Sequence, residues 1–397
     1  MDKYFRTRIA CYIGYFVQAI INNFLPLLFV TFNTKYSLTY DKIGTLIVIN
    51  FCVQIAVDIC SIKLIDRLTY RGAVLLAHIL ASVGLIALSI LPQIMQNTYL
   101  GIIISIIIYA TGSGLIEVII SPLIEYLPGE RGAARMSFLH SFYCWGQVLT
   151  VAFTTLLFAV LGLDNWHIIS FLWALVPAAN FFMFLKAPIV VPESEQKGGV
   201  RDKVFSKPFF YLLFVLMLCA GASEISASQW ASTFAEQGLG LNKSVGDLLG
   251  PCAFALLMGV GRLLYGIFGQ KFNVYRLMLV CSTACLICYL GIAFSKSPMV
   301  SIVCCALCGL SVSVMWPMSF SIASLKFENG GAPMFGCLAA AGDLGCSLGP
   351  WVVGIISSGS SLQRGFLVSS IFPSIMIILM LYCILKFCCT KSKNVLK

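Results

Sequence analysis

An all-α membrane protein, with twelve transmembrane helices in two pseudo-symmetric bundles of six, is the fold this sequence predicts. Three observations carry the prediction. Hydrophobic residues make up 59% of the 397-residue chain and charged residues only 11%, against roughly 25% charged in soluble domains. That leaves too little polar surface to cover a soluble core. Twelve apolar segments each reach about 20 residues, the length that crosses a bilayer as a helix. The basic residues gather in alternate connections, which is the charge signature of membrane topology.

Taken in order, the segments are 9–32, 42–62, 72–94, 98–125, 137–161, 166–186, 208–235, 245–268, 275–295, 298–322, 332–358 and 364–388. The first follows a basic start with Lys3, Arg6 and Arg8. Its apolar run is too long for a signal peptide and has no small-residue cleavage site, so it reads as a span. Glycine and proline inside several segments are ordinary in membrane helices, whose neighbours satisfy the freed backbone groups. Counting from the amino terminus, alternate connections carry twenty Lys and Arg, while the others carry five: Lys35, Lys42, Lys243, Lys296 and Arg364. This bias predicts that both termini are cytoplasmic and that the chain resides in the plasma membrane. It also explains the net charge of +10 without nucleic acid as a partner. The expected partners are the lipid bilayer and a small-molecule solute, with the chain acting as a monomer.

The longest polar interruption lies at the centre, where Pro192, Glu193, Glu195, Lys197, Gly198, Gly199, Arg201, Asp202 and Lys203 follow one another closely. It predicts a cytoplasmic linker over 188–207, between bundles at 1–187 and 208–397. The halves are faintly alike: in register, Asp58 falls on Arg262 and Arg67 on Lys271. A chain of six plus six spans with weakly repeated halves is the pattern of transporters that hold solute at the midplane between them.

Seventeen cysteines suggest a disulfide framework, but most lie inside apolar runs, where Cys behaves as a small hydrophobe. No pair has metal-type flanks. Gly-x-Ser-x-Gly, His-Glu-x-x-His and phosphate-loop motifs are absent, so neither a nucleophile, a metal nor an ATP site is expected. The chain is predicted to be no enzyme, to need no cofactor and to transport by secondary means.

Function centres on the fourth segment. Tyr109, Ser113, Glu117, Ser121 and Glu125 recur every fourth residue, so on a helix they form one polar stripe. A carboxylate at membrane depth costs several kcal/mol by most estimates, unless it faces a protein interior or a water-filled cavity. There it can also take up and release a proton, which makes Glu117 the leading functional residue. Gln18 and Asn22 are one turn apart in the first segment, and Asn50, Gln54 and Asp58 repeat the spacing in the second. Such amides either line a cavity and bond a hydroxylated solute or tie helices together. Span eleven carries Gly336, Gly345, Gly349, Pro350 and Gly354, a face suited to close helix packing. The buried charges Asp58, Arg262 and Asp343 are expected to pair with each other or with helix ends, as gate and packing elements.

The connection Ile62, Asp66, Arg67, Thr69, Arg71 resembles the signature loop of the major facilitator superfamily, with Ile62 and Thr69 standing where that motif has glycine. The resemblance implies the major facilitator fold, with Asp66 and Arg67 latching the cytoplasmic side and Arg71 as a basic residue of the same gate. Within that superfamily, three stretches look like the fucose-permease branch of sugar–proton symporters. They are Leu115 to Pro122 around Glu117, Leu139 to Gly146 around His140, and Gly221 to Trp230 with Glu224 about two turns before Trp230. The branch's span-one aspartate has no counterpart, since Phe24, Leu25 and Pro26 follow Asn22 and Asn23. The resemblance to this branch implies proton coupling at Glu117 and His140 and a solute contact from Glu224. The polar stripes make Gln18, Asn22, Asn50 and Gln54 the expected solute-facing amides, with Trp230 and Trp316 expected to stack on a sugar ring. The expected function is proton-coupled symport of a small polar solute such as a monosaccharide, by alternating access, with sodium an open alternative as the coupling ion. A drug or metabolite efflux antiporter is the main alternative. A transporter-derived nutrient sensor is the more remote one.

Overall fold

The structure, a computed structural model, describes residues 3–125, 127, 132–189, 204–268, 271–327 and 331–388, with side chains left out at 61–68, 122, 125, 132–138, 324, 331–333, 335 and 387–388. Twelve helices among them are long and apolar enough to cross a membrane. They are α1 (Phe5–Tyr36), α2 (Tyr40–Cys60), α3 (Thr69–Ile94), α4 (Thr98–Ser121), α5 (Leu139–Leu161), α6 (Leu163–Lys186), α7 (Pro208–Gly238), α8 (Lys243–Phe268), α9 (Val274–Phe294), α10 (Pro298–Ala323), α11 (Gly336–Ser358) and α12 (Leu362–Lys386). Each overlaps one predicted segment, and α1 runs four residues further than predicted. The expected linker falls mostly outside the described residues, as do the side chains of Asp66, Arg67 and Glu125.

Local sequence explains the irregularities. Pro26 cannot donate a backbone hydrogen bond, so α1 tightens into a 3₁₀ turn over Leu25–Leu28 before resuming at Phe29. Pro251 sits in a wide π turn over Leu248–Cys252 near the start of α8. Between α2 and α3 the expected open loop is missing. The backbone stays helical through the junction except at Thr69, with φ 60° and ψ 159°. That is a conformation glycine adopts readily and a β-branched residue adopts only under strain. The junction therefore places a β-branched residue where the backbone favours glycine.

Arg71 differs from its expected part in a gate between the halves. Its guanidinium donates to the carbonyls of Phe184 at 3.0 Å, Leu185 at 2.7 Å and Ala187 at 2.8 Å. These are orphan acceptors at the carboxyl end of α6, and a cation there also meets the negative end of the helix dipole. Nearby, His78 donates from Nδ1 to the Val74 carbonyl at 2.7 Å and accepts from Asn180 at 2.8 Å. Asn180 also donates to the Ala10 carbonyl, so this buried histidine helps knit α1, α3 and α6.

Small residues set the tightest contact in the second half. A methyl group on Gly345 would overlap the Leu218 carbonyl, and one on Gly349 would overlap Ser226 and the Ala222 carbonyl. The glycine face of α11 thus presses directly on α7. Gly336, expected on the same face, has nothing near it.

The halves meet along α2 against α11 and α5 against α8. On the face opposite the termini the contact is closed. Ser358 Oγ accepts from the Asp41 backbone at 2.7 Å, and Gln229 donates to the Asn22 carbonyl at 2.8 Å. Trp230 is wholly buried there, between Phe29 and Tyr40, and donates to the Pro350 carbonyl at 2.9 Å. It was expected to stack on a solute; in this conformation it stacks on protein rings and helps seal the face.

Asp247 completes the seal. It has 0% exposure and accepts from Ser232 at 2.5 Å, Lys243 at 2.9 Å and Thr155 of the other half at 3.2 Å. Lys243 also lies 5.8 Å from the centre of the Phe158 ring, a cation–π contact across the same seam.

Two outcomes follow for thermal unfolding of the purified protein. Thr69→Gly should raise stability by about 1 kcal/mol, the relieved strain exceeding the entropy cost of glycine. Asp247→Ala should lower it by about 1–3 kcal/mol by leaving Ser232 and Thr155 without their acceptor, Lys243 keeping Glu236 at 3.8 Å, and the double change Asp247→Leu, Lys243→Met should recover part of the loss.

Candidate solute and proton site

Period-four spacing places the polar residues of α1, α2 and α4 on facing stripes, and the structure joins them into one wall. Gln18 donates to Glu117 Oε2 at 2.6 Å. Asn22 Oδ1 accepts from Asn50 and from Gln54, each at 3.2 Å, and Ser113 donates to Gln54 Oε1 at 3.2 Å. In this conformation the amides tie helices together, and Asn50 Oδ1 is left buried without a hydrogen bond. Tyr15 extends the wall. Its hydroxyl lies 2.7 Å from Ser121 Oγ, one turn from Glu117, and its ring meets the edge of His140 at 5.2 Å. His140 is thus connected to the Glu117 stripe through Tyr15 rather than by direct contact.

The buried charges sort partly as expected. Asp58 of α2 and Asp343 of α11 face each other within electrostatic reach where the halves meet. Glu117 lies within electrostatic reach of both acids.

Arg262 joins neither aspartate. Its Nη2 approaches Glu224 Oε1 at 3.4 Å and its Nε donates to the Ser313 carbonyl at 3.2 Å. The Glu224 side chain is 7% exposed and the Arg262 side chain 19%. Glu224 Oε2 is buried with no hydrogen bond. Tyr143 and Cys144 of the opposite half lie close enough to act electrostatically on Arg262. Buried Cys346 feels Asp343, Glu224 and Glu117 together, so the acidic groups of both halves converge around one point of α11. Trp316 is half-buried against Gly342, with Phe320 at 6.5 Å.

Sequence reasoning passed over several members of this interior. Tyr143 is within hydrogen-bond reach of Asn23 at 3.4 Å, and Gln147 donates to Ser228 of the other half at 2.9 Å. Their signal was present: His140, Tyr143 and Gln147 fall three and four residues apart, one face of α5. Asp247 was hidden because Lys243 beside it reads as a loop charge.

The sequence profile of the Major Facilitator Superfamily matches residues 11–335 and 253–386. A sequence comparison with curated proteins finds no significant match. Among solved structures, a D-xylose–proton symporter superposes with a TM-score of 0.80, at 14% identity over 96% of this chain and 97% of that one. The nucleoside transporter NupG gives 0.76 at 13% identity, covering 94% and 99%. The E. coli fucose–proton symporter gives 0.66 at 16% identity, covering 96% and 99%. Identities this low speak for the fold alone, and the fold agrees with the profile. With twelve membrane-crossing helices and a profile match over most of its length, the chain belongs to the Major Facilitator Superfamily.

Proposed function

We propose that this transporter carries a small polar solute, with a monosaccharide as the leading class, together with a proton. It does so by alternating access between a bundle at 1–187 and a bundle at 208–397, joined by a linker at 188–207. The observation that carries the reading is the pairing of Glu117 with Gln18 at 2.6 Å inside a membrane-crossing helix. An amide suits a group that must change charge. Its N–H donates to the carboxylate, and after a flip its carbonyl accepts from the protonated acid. The site can therefore satisfy Glu117 in either state without a fixed cation.

The cycle follows from cost. A charged Glu117 is expensive to carry through a state closed to water on both sides, so the protonated carrier reorients more easily. Solute binding alters the surroundings of the acid and so its hold on the proton, and by linkage the proton alters the hold on solute by the same factor. His140, whose ring meets that of Tyr15 at 5.2 Å, is the second proton-handling group of this proposal. We assign the terminal face to the cytoplasm and the protein to the plasma membrane from the distribution of basic residues. The names of the structural relatives, two sugar–proton symporters and a nucleoside transporter, support a polar, hydroxylated cargo.

Proteoliposomes test this with a panel of labelled sugars, with and without an inward proton gradient, for wild type and Glu117→Gln. The wild type should accumulate a sugar only with the gradient, while Glu117→Gln should still exchange it across the membrane yet fail to concentrate it. A variant that concentrates the sugar as wild type does would refute the assignment of Glu117.

A further inference from the structure

We infer that Glu224 and Arg262 form the hydroxyl-binding centre of the solute site and that they select a neutral solute with two neighbouring hydroxyl groups. This rests on the reading of the chain as a carrier of small polar solutes. It gives Arg262 a role in recognition rather than in a gate.

The first reason is position. Glu224 is on α7 and Arg262 on α8, both in the second half, while Tyr143 and Cys144 on α5 of the first half lie within electrostatic reach of Arg262. A solute held between the halves meets this pair from one side and Tyr143 from the other. The Arg262 side chain keeps 19% exposure, so part of the guanidinium is reachable.

The second reason is unfinished hydrogen bonding. A guanidinium offers five N–H donors in a rigid fork. Here Nε goes to Ser313 and Nη2 makes one long approach to Glu224, at 3.4 Å. On the other partner, Oε2 is buried and unbonded. Leaving a buried acceptor unmet is costly, and more so for a charged one. A hydroxyl group relieves both deficits because it donates to the carboxylate and accepts from the guanidinium. Two hydroxyls on adjacent carbons match the pitch of the fork and of the two carboxylate oxygens.

The third reason is charge. Glu224 and Arg262 neutralise each other, so an uncharged ligand can insert without breaking the balance. An anionic ligand would have to compete with Glu224 for the arginine. It would also sit near Glu117 and Asp343, which converge with Glu224 on Cys346. A cationic ligand would have to displace Arg262 and leave it buried without a counter-charge, a large penalty.

Equilibrium binding to the purified protein tests this without any gradient, so the result is blind to proton coupling. The panel holds neutral monosaccharides and nucleosides, their single-deoxy analogues, the matching uronic acids and the matching amino sugars. A neutral member should bind tightest, and loss of one of two adjacent hydroxyls should weaken it about tenfold or more. The charged analogues should bind weaker still. Glu224→Gln and Arg262→Lys should each lower affinity about tenfold or more, with thermal unfolding showing that the variants are folded. Should a variant not fold, the deoxy and charged series with wild type decides alone. Wild-type affinity in folded Glu224→Gln, or a preference for a uronic acid or an amino sugar, would overturn the inference while leaving solute transport intact. Binding of no member in any charge class would overturn both this inference and the polar-solute reading. Gradient-independent uptake in proteoliposomes would count against Glu117 alone.

Discussion

Inside a bilayer there is no water to satisfy a polar group, so every buried amide, hydroxyl and carboxyl must find its partner within the protein. This chain sinks an unusual set of such groups into its spans, and the arrangement of the interior follows from how they are satisfied. The first half answers with amides: Gln18 serves Glu117, and Asn22 collects donors from Asn50 and Gln54. The second half answers with an ion pair, Glu224 and Arg262. Between them Asp58 and Asp343 face each other across the seam. The first two solutions suit different tasks. Amides tolerate a change of charge, and an ion pair stays neutral while offering donors and acceptors.

The seal on the face opposite the termini obeys the same constraint with the opposite purpose. Asp247 has its oxygens filled by Ser232, Lys243 and Thr155, and it is fully enclosed. Trp230 likewise has its one donor met by Pro350. Elsewhere in the interior, Asn50 Oδ1 and Glu224 Oε2 are buried without a hydrogen bond.

Much of this was legible in the sequence because it is local. Twelve spans follow from hydropathy and length, and the stripes of α1, α2 and α4 follow from a spacing of four. Pairing was not legible, because it depends on which helices become neighbours. The order of residues offers Glu224 and the aspartates alike as partners for Arg262 without choosing between them, and it does not say that Arg71 reaches the end of α6. That Trp230 meets Phe29 and Tyr40 in this conformation likewise depends on how the helices pack. Thr69 shows the limit most sharply: threonine argues against a glycine-type turn, yet the meeting of α2 and α3 imposes one.

The direct backbone contact of α11 with α7 also bears on how such a carrier changes over evolutionary time. Gly345 and Gly349 admit no side chain, so drift at those positions is closed off. The proposed solute residues take no part in that contact. They can be exchanged one at a time while the framework stays fixed. A lineage built this way can turn to new cargo by small steps without first having to reinvent its fold.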